Sequence, residues 1–340
     1  MLVSDFSYRL PQKNIAIRPP KTRGTSRLLT LNRKTGAMSD AFYAQLSDFL
    51  VPGDVVVIND TRVMRARLFG ALPDGRIREL VVLEKHAGTI NHLMYRGRLH
   101  AGDILTILQA DGKSKSADQI TVKQILGDGI AAVEGAKSLP ELAELYGTVP
   151  LPPYLHRHSD ASDLERYQTI WAKHIGSAAA PTASLNMTKE LLDRITQKGV
   201  IIKHITLHVG LGTFLPIRTD TVEEHQMHSE WFNIPVETIT AIQASKAAGH
   251  RVVAIGTTVT RTLEYWGNTN LTSGEDKLFI YPGYKFRVVD ALLTNFHAPK
   301  SSVLMLAAAF AGWQNLKPAY EHAIKSGYKL LSYGDSMFIY

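Results

Sequence analysis

The stretch RVVAIGTT, residues 251–258, is a short apolar run that ends in a glycine and two threonines. Its first five residues are typical of a buried β-strand, and a helix is predicted directly after it. Upstream, the run VIIKHITL (residues 200–207) predicts a second strand, and helices are predicted at residues 189–198 and 236–248. Strands that alternate with helices favour a layered α/β domain.

The first 150 residues contain two further patterns. Before Asp60 a strand is predicted at residues 28–31, an amphipathic helix at 41–50 and a buried strand at 54–59. From Arg62 to Tyr146 short β-type runs recur, separated by turn-forming pairs such as Asp74-Gly75. Regular short strands with polar turns predict a small barrel or sandwich. The sequence therefore indicates an α/β body that is interrupted by an all-β insert.

Composition narrows the class of protein. The 340 residues are 45% hydrophobic and 20% charged, as in a globular protein of about two domains. The absence of cysteine excludes disulfides, thiolate nucleophiles and cysteine-held zinc or iron–sulfur clusters. A net charge of +7 favours a polyanionic partner, although small-molecule enzymes also have such charges.

We expect a soluble, cytoplasmic protein without a membrane association. The first residues, MLVSDF, lack the basic region and apolar run of a signal peptide. The apolar run around residues 303–311 is well short of the ~18–20 residues that cross a bilayer.

Two glycine-containing turns are candidate ligand sites. Gly256-Thr257-Thr258 joins a strand to a helix, where free N–H groups suit a phosphate or carboxylate, although a tight turn needs the same residues. The stretch LHVGLGTF, residues 207–214, lacks the third glycine of a dinucleotide fingerprint, so nicotinamide binding is rejected. His208 is the titratable group of that stretch.

Three clusters of polar side chains have a functional and a structural interpretation. His225, His228 and Glu230 match no standard zinc motif, and acid–base work or substrate contact is favoured over a metal site. The basic and aromatic residues from 156 to 174 suit RNA phosphates and bases, but their periodicity alone favours a solvated helix face with an apolar stripe. In residues 295–302, Lys300 offers a charge while Ser301 or Ser302 caps a helix.

The chain resembles the S-adenosylmethionine:tRNA ribosyltransferase-isomerase family of queuosine synthesis from end to end. The motifs that carry the resemblance follow one another in the same order as in that family. They are SDFSYRLP (4–11), SRLL (26–29), GDVVVINDTRV (53–63), PLPPY (150–154), ERYQT (165–169), AAPTA (179–183), TLHVGLGTF (206–214), His225 with MHSE (227–230), GTT (256–258), RTLE (261–264), FIYPGY (279–284), TNFH (294–297), PKS (299–301) and SYGD (332–335).

The resemblance implies an α/β body, residues 1–61 and 152–340, with a mixed sheet, and an inserted small β-barrel domain, residues 62–151. It also implies transfer and isomerisation of the ribosyl portion of S-adenosylmethionine onto 7-aminomethyl-7-deazaguanine at the tRNA wobble position. The product is epoxyqueuosine, and adenine and methionine are released. No metal or other cofactor is implied, and we expect a monomer or weak dimer.

The candidate site residues follow from the motifs and this resemblance. The predicted catalytic residues are His208, His228, Glu230 and His297. The predicted substrate-binding residues are Thr182, Asn186, Gly210, Gly212, Thr213, Gly256, Thr257, Thr258, Arg261, Asn295, Lys300 and Asp335. The predicted RNA-binding residues are Arg157, Arg166, Tyr167 and Lys173.

The chain departs from the family pattern at four positions: Ser184, Asn186, Met187 and Val259. Asn186 stands where the family has a histidine, and an amide cannot exchange a proton near neutral pH. Two alternatives to the family activity therefore stay open. One is a diverged paralogue that acts on another nucleoside or base, and the other is a non-catalytic tRNA-binding protein.

Overall fold

The computed structural model describes residues 1–83, 91–127, 129–210 and 217–340. Its strands, in chain order, are β1 (Arg27–Leu31), β2 (Met38–Phe42), β3 (Val55–Asn59), β4 (Thr61–Val63), β5 (Arg67–Ala71), β6 (Ile77–Val82), β7 (His92–Tyr95), β8 (Ile104–Leu108), β9 (Lys115–Gly127), β10 (Ile130–Gly135), β11 (His174–Ser177), β12 (Ile201–Leu207), β13 (Glu230–Asn233), β14 (Val252–Ile255), β15 (Ser273–Asp276), β16 (Ala291–Asn295) and β17 (Ser336–Ile339). Its helices are α1 (Leu139–Tyr146), α2 (Ala161–Arg166), α3 (Lys189–Gln197), α4 (Val236–Ala247), α5 (Thr257–Thr269), α6 (Ser302–Ala311) and α7 (Trp313–Lys325).

The body is built on a mixed sheet. In the described part of the chain this sheet has nine strands, in the order β15-β13-β12-β3-β14-β16-β17-β1-β2. Its central strands β12, β3, β14 and β16 are parallel, whereas β17 is antiparallel to β16. The predicted α/β body with a mixed sheet is confirmed.

Both faces of the central strands are covered, which explains why they are apolar throughout. Val55 and Val57 of β3 belong to a core that includes residues of α4, α5, α6 and α7. The alternate side chains, Val56 and Ile58, belong to a second core on the opposite face, with Leu191 of α3. Side chains of a strand alternate between faces, so an unbroken apolar run is the pattern of a strand buried on both sides.

The insert is a closed barrel. Six of the described strands form it, in the order β10-β7-β6-β5-β8-β9, and each pairs antiparallel with its neighbours. Leu68, Leu80 and Leu105 are among its fully buried residues, and α1 contributes Leu142 to the same core. The predicted barrel is confirmed; its domain boundaries, 62–151, stay a prediction.

The structure corrects one predicted element in the first segment. Residues 41–50 do not form an amphipathic α-helix, because Ala41 pairs with Leu28 in the β1–β2 hairpin and a 3-10 helix covers Tyr43–Phe49. The Tyr43 N–H donates to the carbonyl of Ser26, and its hydroxyl donates to that of Ala183 at 2.7 Å. These tertiary contacts extend the strand where the local pattern favoured a helix.

Among the helices of the described residues, none combines the length and the apolar composition that a membrane span needs.

Candidate active site

The carboxyl ends of the central parallel strands meet at one edge of the sheet. His208 follows β12, Thr61 lies just after β3, Gly256 follows β14, and Asn295 ends β16. Open α/β sheets bind ligands at this edge, because loops that leave adjacent parallel strands there surround a crevice. We therefore expect a ligand site at this edge.

A cavity lies at this edge. It comprises about 750 Å³ of empty space, including its open mouth. The described residues that line it are Tyr154, Ala180, Pro181, Thr182, Ala183, Val209, Gly256, Thr257, Thr258, Thr294, Asn295, Phe296, His297, Ala298, Ser301, Val303, Leu331 and Ser332. None of these lining residues is Asp, Glu, Lys or Arg. The lining is apolar with hydroxyls, one amide and one imidazole.

The predicted turn Gly256-Thr257-Thr258 lines this cavity. Gly256 has φ +100°, a conformation that favours glycine, and its N–H donates to the Leu293 carbonyl. The helix α5 begins at Thr257, so free N–H groups and the positive end of the helix dipole are directed to the cavity edge. The Thr258 Oγ1 is buried and has no hydrogen-bond partner among the described residues.

Thr182 and Asn295 meet in the cavity wall, and their substrate-binding role stays a prediction. The Thr182 hydroxyl donates to Asn295 Oδ1 at 2.8 Å, and Asn295 Nδ2 donates to the Asp335 carbonyl at 3.4 Å. Both ends of the Asn295 amide are therefore engaged, which fixes its orientation.

His297 is held at the cavity by its backbone and its ring. Its N–H donates to the Tyr320 hydroxyl at 2.9 Å, and its carbonyl accepts from the Tyr8 hydroxyl. Its Nε2 lies 2.7 Å from Thr294 Oγ1. Burial lowers the pKa of His297 from 6.5 to about 3, so the ring is neutral at pH 7.

This burial predicts a pH-dependent stability. The folded state resists protonation of His297 down to about pH 3, whereas the unfolded chain takes up the proton near pH 6.5. The resulting contribution to the free energy of unfolding is complete above pH 6.5 and is lost as the pH falls toward 3. We expect His297→Gln to remove about 2–4 kcal/mol of the stability difference between pH 7 and pH 4.

Urea titrations of both proteins at the two pH values measure this difference. If the wild type and His297→Gln lose the same stability on acidification, the pKa of His297 is not lowered in the folded protein.

A buried ionic cluster lies next to the cavity. The Arg261 guanidinium contacts the Glu230 carboxylate, and its Nε donates to Asp276 Oδ2 at 3.1 Å. All three residues are buried. Glu230 Oε1 also accepts from the Gly210 N–H at 2.7 Å and lies 3.1 Å from His228 Nε2. Burial raises the pKa of Asp276, and the nearby guanidinium opposes this shift.

The cluster borders a second, smaller pocket. Glu230, Arg261 and Phe279 line it, and it shares Thr257 and Thr258 with the main cavity. Arg261 is paired with two carboxylates, so its charge is already neutralised within the fold, which does not favour its predicted substrate-binding role. Glu230 holds the Gly210 backbone and Arg261, which favours a positioning role over the predicted catalytic one.

His208 lies behind the cavity lining. Its Nδ1 is 2.9 Å from Thr61 Oγ1, and its ring stacks on Trp231 with centroids 5.1 Å apart. A Cβ at Gly176 would come within 2.5 Å of His208 Nε2, so glycine is needed at that position. His208 therefore joins β12, β4 and β13 at the site edge, and its catalytic role stays a prediction.

Five of the predicted substrate-binding residues that the structure describes lie outside the cavity lining: Gly210 and Arg261, which belong to the ionic cluster, and Asn186, Asp335 and Lys300. Asn186 is buried and donates to the Gly334 carbonyl at 3.2 Å. The Asp335 carboxylate accepts from the backbone N–H groups of Arg27 and Lys329, both at 2.7 Å. Lys300 is exposed in the turn before α6, where Ser301 caps the helix as predicted. These contacts favour structural roles for Asn186 and Asp335.

The three other departures from the family pattern are buried in the body. Met187 and Val259 are fully buried in the two cores of the body, and Ser184 is buried with no partner for its hydroxyl among the described residues. Gly212 and Thr213, which were predicted to bind substrate, lie outside the described residues.

Three of the four predicted RNA-binding residues make contacts within the fold or are buried in it. Arg157 donates to both Asp163 carboxylate oxygens, at 2.6 and 2.8 Å, and Arg166 donates to the carbonyls of Pro20 and Lys21. Tyr167 is completely buried, so the prediction that its ring stacks on RNA is wrong for this conformation. Lys173 is exposed, and its RNA-binding role stays a prediction.

The structure also adds residues that the sequence did not single out. Tyr154 lines the cavity from the proline-rich connector, and its hydroxyl contacts the Ser332 side chain and accepts from the Ser332 N–H. Both residues occur in quoted motifs, PLPPY and SYGD, but sequence spacing alone does not bring these motifs together. Asp276 belongs to no motif, and only its burial beside Arg261 identifies it.

Fold and site together define an α/β protein that carries an inserted barrel and has a cavity at the carboxyl edge of a mixed sheet. A family model described as "Queuosine biosynthesis protein" matches residues 3–339. The chain belongs to this queuosine biosynthesis protein family, as the sequence motifs predicted.

Named relatives agree with this assignment. The chain is 52% identical to the S-adenosylmethionine:tRNA ribosyltransferase-isomerase of Pelodictyon phaeoclathratiforme and 43% identical to that of Francisella tularensis subsp. novicida, with both chains covered completely in each comparison. The crystal structure of S-adenosylmethionine tRNA ribosyltransferase from Thermotoga maritima matches with a TM-score of 0.56 and 28% identity, over 99% of this chain and 100% of that one. The chain is accordingly an enzyme of the ribosyltransferase-isomerase type.

Proposed function

We propose that this enzyme transfers and isomerises the ribosyl moiety of S-adenosylmethionine onto 7-aminomethyl-7-deazaguanine at the wobble position of tRNA. Epoxyqueuosine forms in the tRNA, and adenine and methionine leave. The observation that carries the proposal is the cavity at the carboxyl edge of the sheet, together with the names of relatives about 50% identical over the whole chain. No additional cofactor is part of the proposal.

The substrates set clear physical requirements for the site. The sulfonium acidifies the adjacent 5′ carbon and makes methionine a good leaving group. The aminomethyl nitrogen must be neutral to attack, and adenine must leave the anomeric carbon. A site for these steps needs a proton acceptor, hydrogen-bond donors and a wall against water.

The cavity lining suits a cationic sulfonium substrate. No Lys or Arg lies among its described lining residues, and the imidazole of His297 is neutral at pH 7. A fixed cation there would repel both the sulfonium and a protonated amine. In this proposal the neutral His297 ring takes a proton from the 5′ carbon, and because its low pKa makes the imidazolium a strong acid, it passes that proton to the departing adenine. Thr294 orients the ring through the contact to Nε2.

The α5 turn suits the anionic end of the same substrate. Free N–H groups at Thr257 and Thr258 favour a carboxylate or a phosphate, and the helix dipole adds to this preference. We assign this turn, instead of the paired Arg261, to the methionine carboxylate. The amide of Asn295 and the hydroxyl of Thr182 then serve as hydrogen-bonding groups for the nucleoside.

The test is a reconstitution with purified components. The protein is incubated with S-adenosylmethionine and with tRNA that carries the deazaguanine precursor, and adenine, methionine and the digested nucleosides are measured by mass spectrometry. We expect adenine release only when the precursor-bearing tRNA is present. Absence of adenine release favours a paralogue with another base. Salt-dependent tRNA binding without turnover favours the non-catalytic alternative.

A further inference from the structure

A groove separates the N-terminal segment from α7. Arg9 and Lys13 line one side, and Lys317, Glu321 and Lys325 line the other. Residues 317, 321 and 325 are four apart on α7, so their side chains lie on one face of the helix. We call this feature the basic groove.

The basic groove has more positive than negative charge, and its cations are available. Arg9, Lys13, Lys317 and Lys325 are exposed, and Glu321 is the one carboxylate among the described lining residues. Within the described chain, none of the four cationic heads makes an ion pair or a hydrogen bond. By contrast, Arg157 of the predicted RNA-binding cluster is already paired with Asp163.

A single side chain connects the basic groove with the active-site cavity. Tyr8 lines the groove, and its hydroxyl donates to the carbonyl of His297, which lines the cavity. The Tyr8 ring also packs edge-on against Tyr320, with centroids 4.9 Å apart, and Tyr320 accepts from the His297 N–H. A polymer in the groove therefore passes within one residue of the cavity wall.

We propose that the basic groove binds the sugar–phosphate backbone of the tRNA beside the nucleotide that enters the cavity. This inference rests on the proposed function, because it takes its partner from that reaction. Lysine and arginine bind phosphates by neutralising them and releasing counterions, without reading sequence. The groove has four unpaired cations, and the neighbouring cavity has none among its described lining residues. The groove therefore suits the polyanionic tRNA backbone, and the cavity suits the cationic sulfonium.

The test variant removes three cations: Lys13→Ala, Lys317→Ala and Lys325→Ala together. The matched control removes three exposed lysines from the β1–β2 and β8–β9 hairpins: Lys34→Ala, Lys113→Ala and Lys115→Ala. Affinity for precursor-bearing tRNA is measured by fluorescence anisotropy from 50 to 300 mM salt without S-adenosylmethionine. Turnover is measured separately by adenine release.

We expect the test variant to bind tRNA about tenfold more weakly or worse, and its plot of log affinity against log salt to be flatter by about 2–3. Its KM for tRNA rises, whereas kcat at saturating tRNA stays near the wild-type value. The control is expected to keep affinity, slope and turnover.

Three results overturn the inference: unchanged affinity in the test variant, an equal loss in the control, or an equal loss of binding to a polyglutamate peptide, which makes the groove a general anion site. The proposed function has a separate readout, because its failure is the absence of adenine release by the wild type. If the wild type releases adenine and the test variant binds tRNA as tightly as the wild type, the groove does not bind the tRNA backbone, and the proposed function is unaffected.

Discussion

Exchange of His297 for glutamine is expected to lower kcat for tRNA-dependent adenine release by about 10²- to 10⁴-fold, the usual contribution of a positioned acid or base. Glutamine keeps hydrogen-bonding capacity toward Thr294 but cannot take up a proton. Because His297 is the one imidazole among the described residues that line the cavity, its loss removes the proton acceptor that we propose. Single-turnover adenine release with saturating substrates measures the effect directly.

The matched control is His250→Gln. His250 lies before β14, at the amino edge of the sheet and therefore opposite the cavity, and we expect turnover close to that of the wild type. If adenine release by His297→Gln is within about tenfold of the wild-type rate, the ring contributes only a hydrogen bond and is not the proton acceptor. In that case the proton acceptor must be sought among the other titratable groups of the edge, beginning with His228.

Exchange of Arg261 for methionine is expected to lower the free energy of unfolding by about 3–5 kcal/mol. The guanidinium lies between Glu230 and Asp276, and both carboxylates have no exposed surface. Methionine retains much of the volume but leaves two buried negative charges without their counter-ion. Urea titration at pH 7 measures the loss.

Two further variants identify the cause. Arg18→Met breaks an ion pair to Asp160 whose side chains are 56% and 43% exposed, so it is expected to cost at most about 1 kcal/mol. Adding Glu230→Gln and Asp276→Asn to Arg261→Met is expected to restore much of the stability, because the uncompensated charges are gone. A loss in Arg261→Met no larger than in Arg18→Met contradicts the buried cluster.

The fold was predictable where local pattern and tertiary environment agree. The run at residues 55–59 is apolar at every position, as a strand covered on both faces must be, and it forms β3 at the centre of the sheet. Prediction was wrong at residues 41–50, where pairing with β1 and the contact from Tyr43 to Ala183 override a helical pattern. The strand β7 was not predicted because its four residues, His-Leu-Met-Tyr, neither alternate between apolar and polar nor form an unbroken β-branched run as the equally short β14 nearly does.

The sequence motifs identified residues that line the cavity, but they did not show which of the chosen residues are buried or paired within the fold. Thr182, Gly256, Asn295 and His297 were all chosen from motifs, and all line one cavity. Tyr167 was chosen for its aromatic type, but pattern does not distinguish a buried ring from an exposed one. Arg261 was chosen for its charge, but its partner Asp276 is fifteen residues away and belongs to no motif.

The sequence by itself determined the family, the alternation of strands and helices with an inserted barrel, and the chemical groups available, because these depend on residue types and their order. Only the tertiary structure decided which cations are free and which are neutralised. A charge is available to a ligand only when no buried carboxylate lies beside it, and such neighbours come from distant parts of the chain.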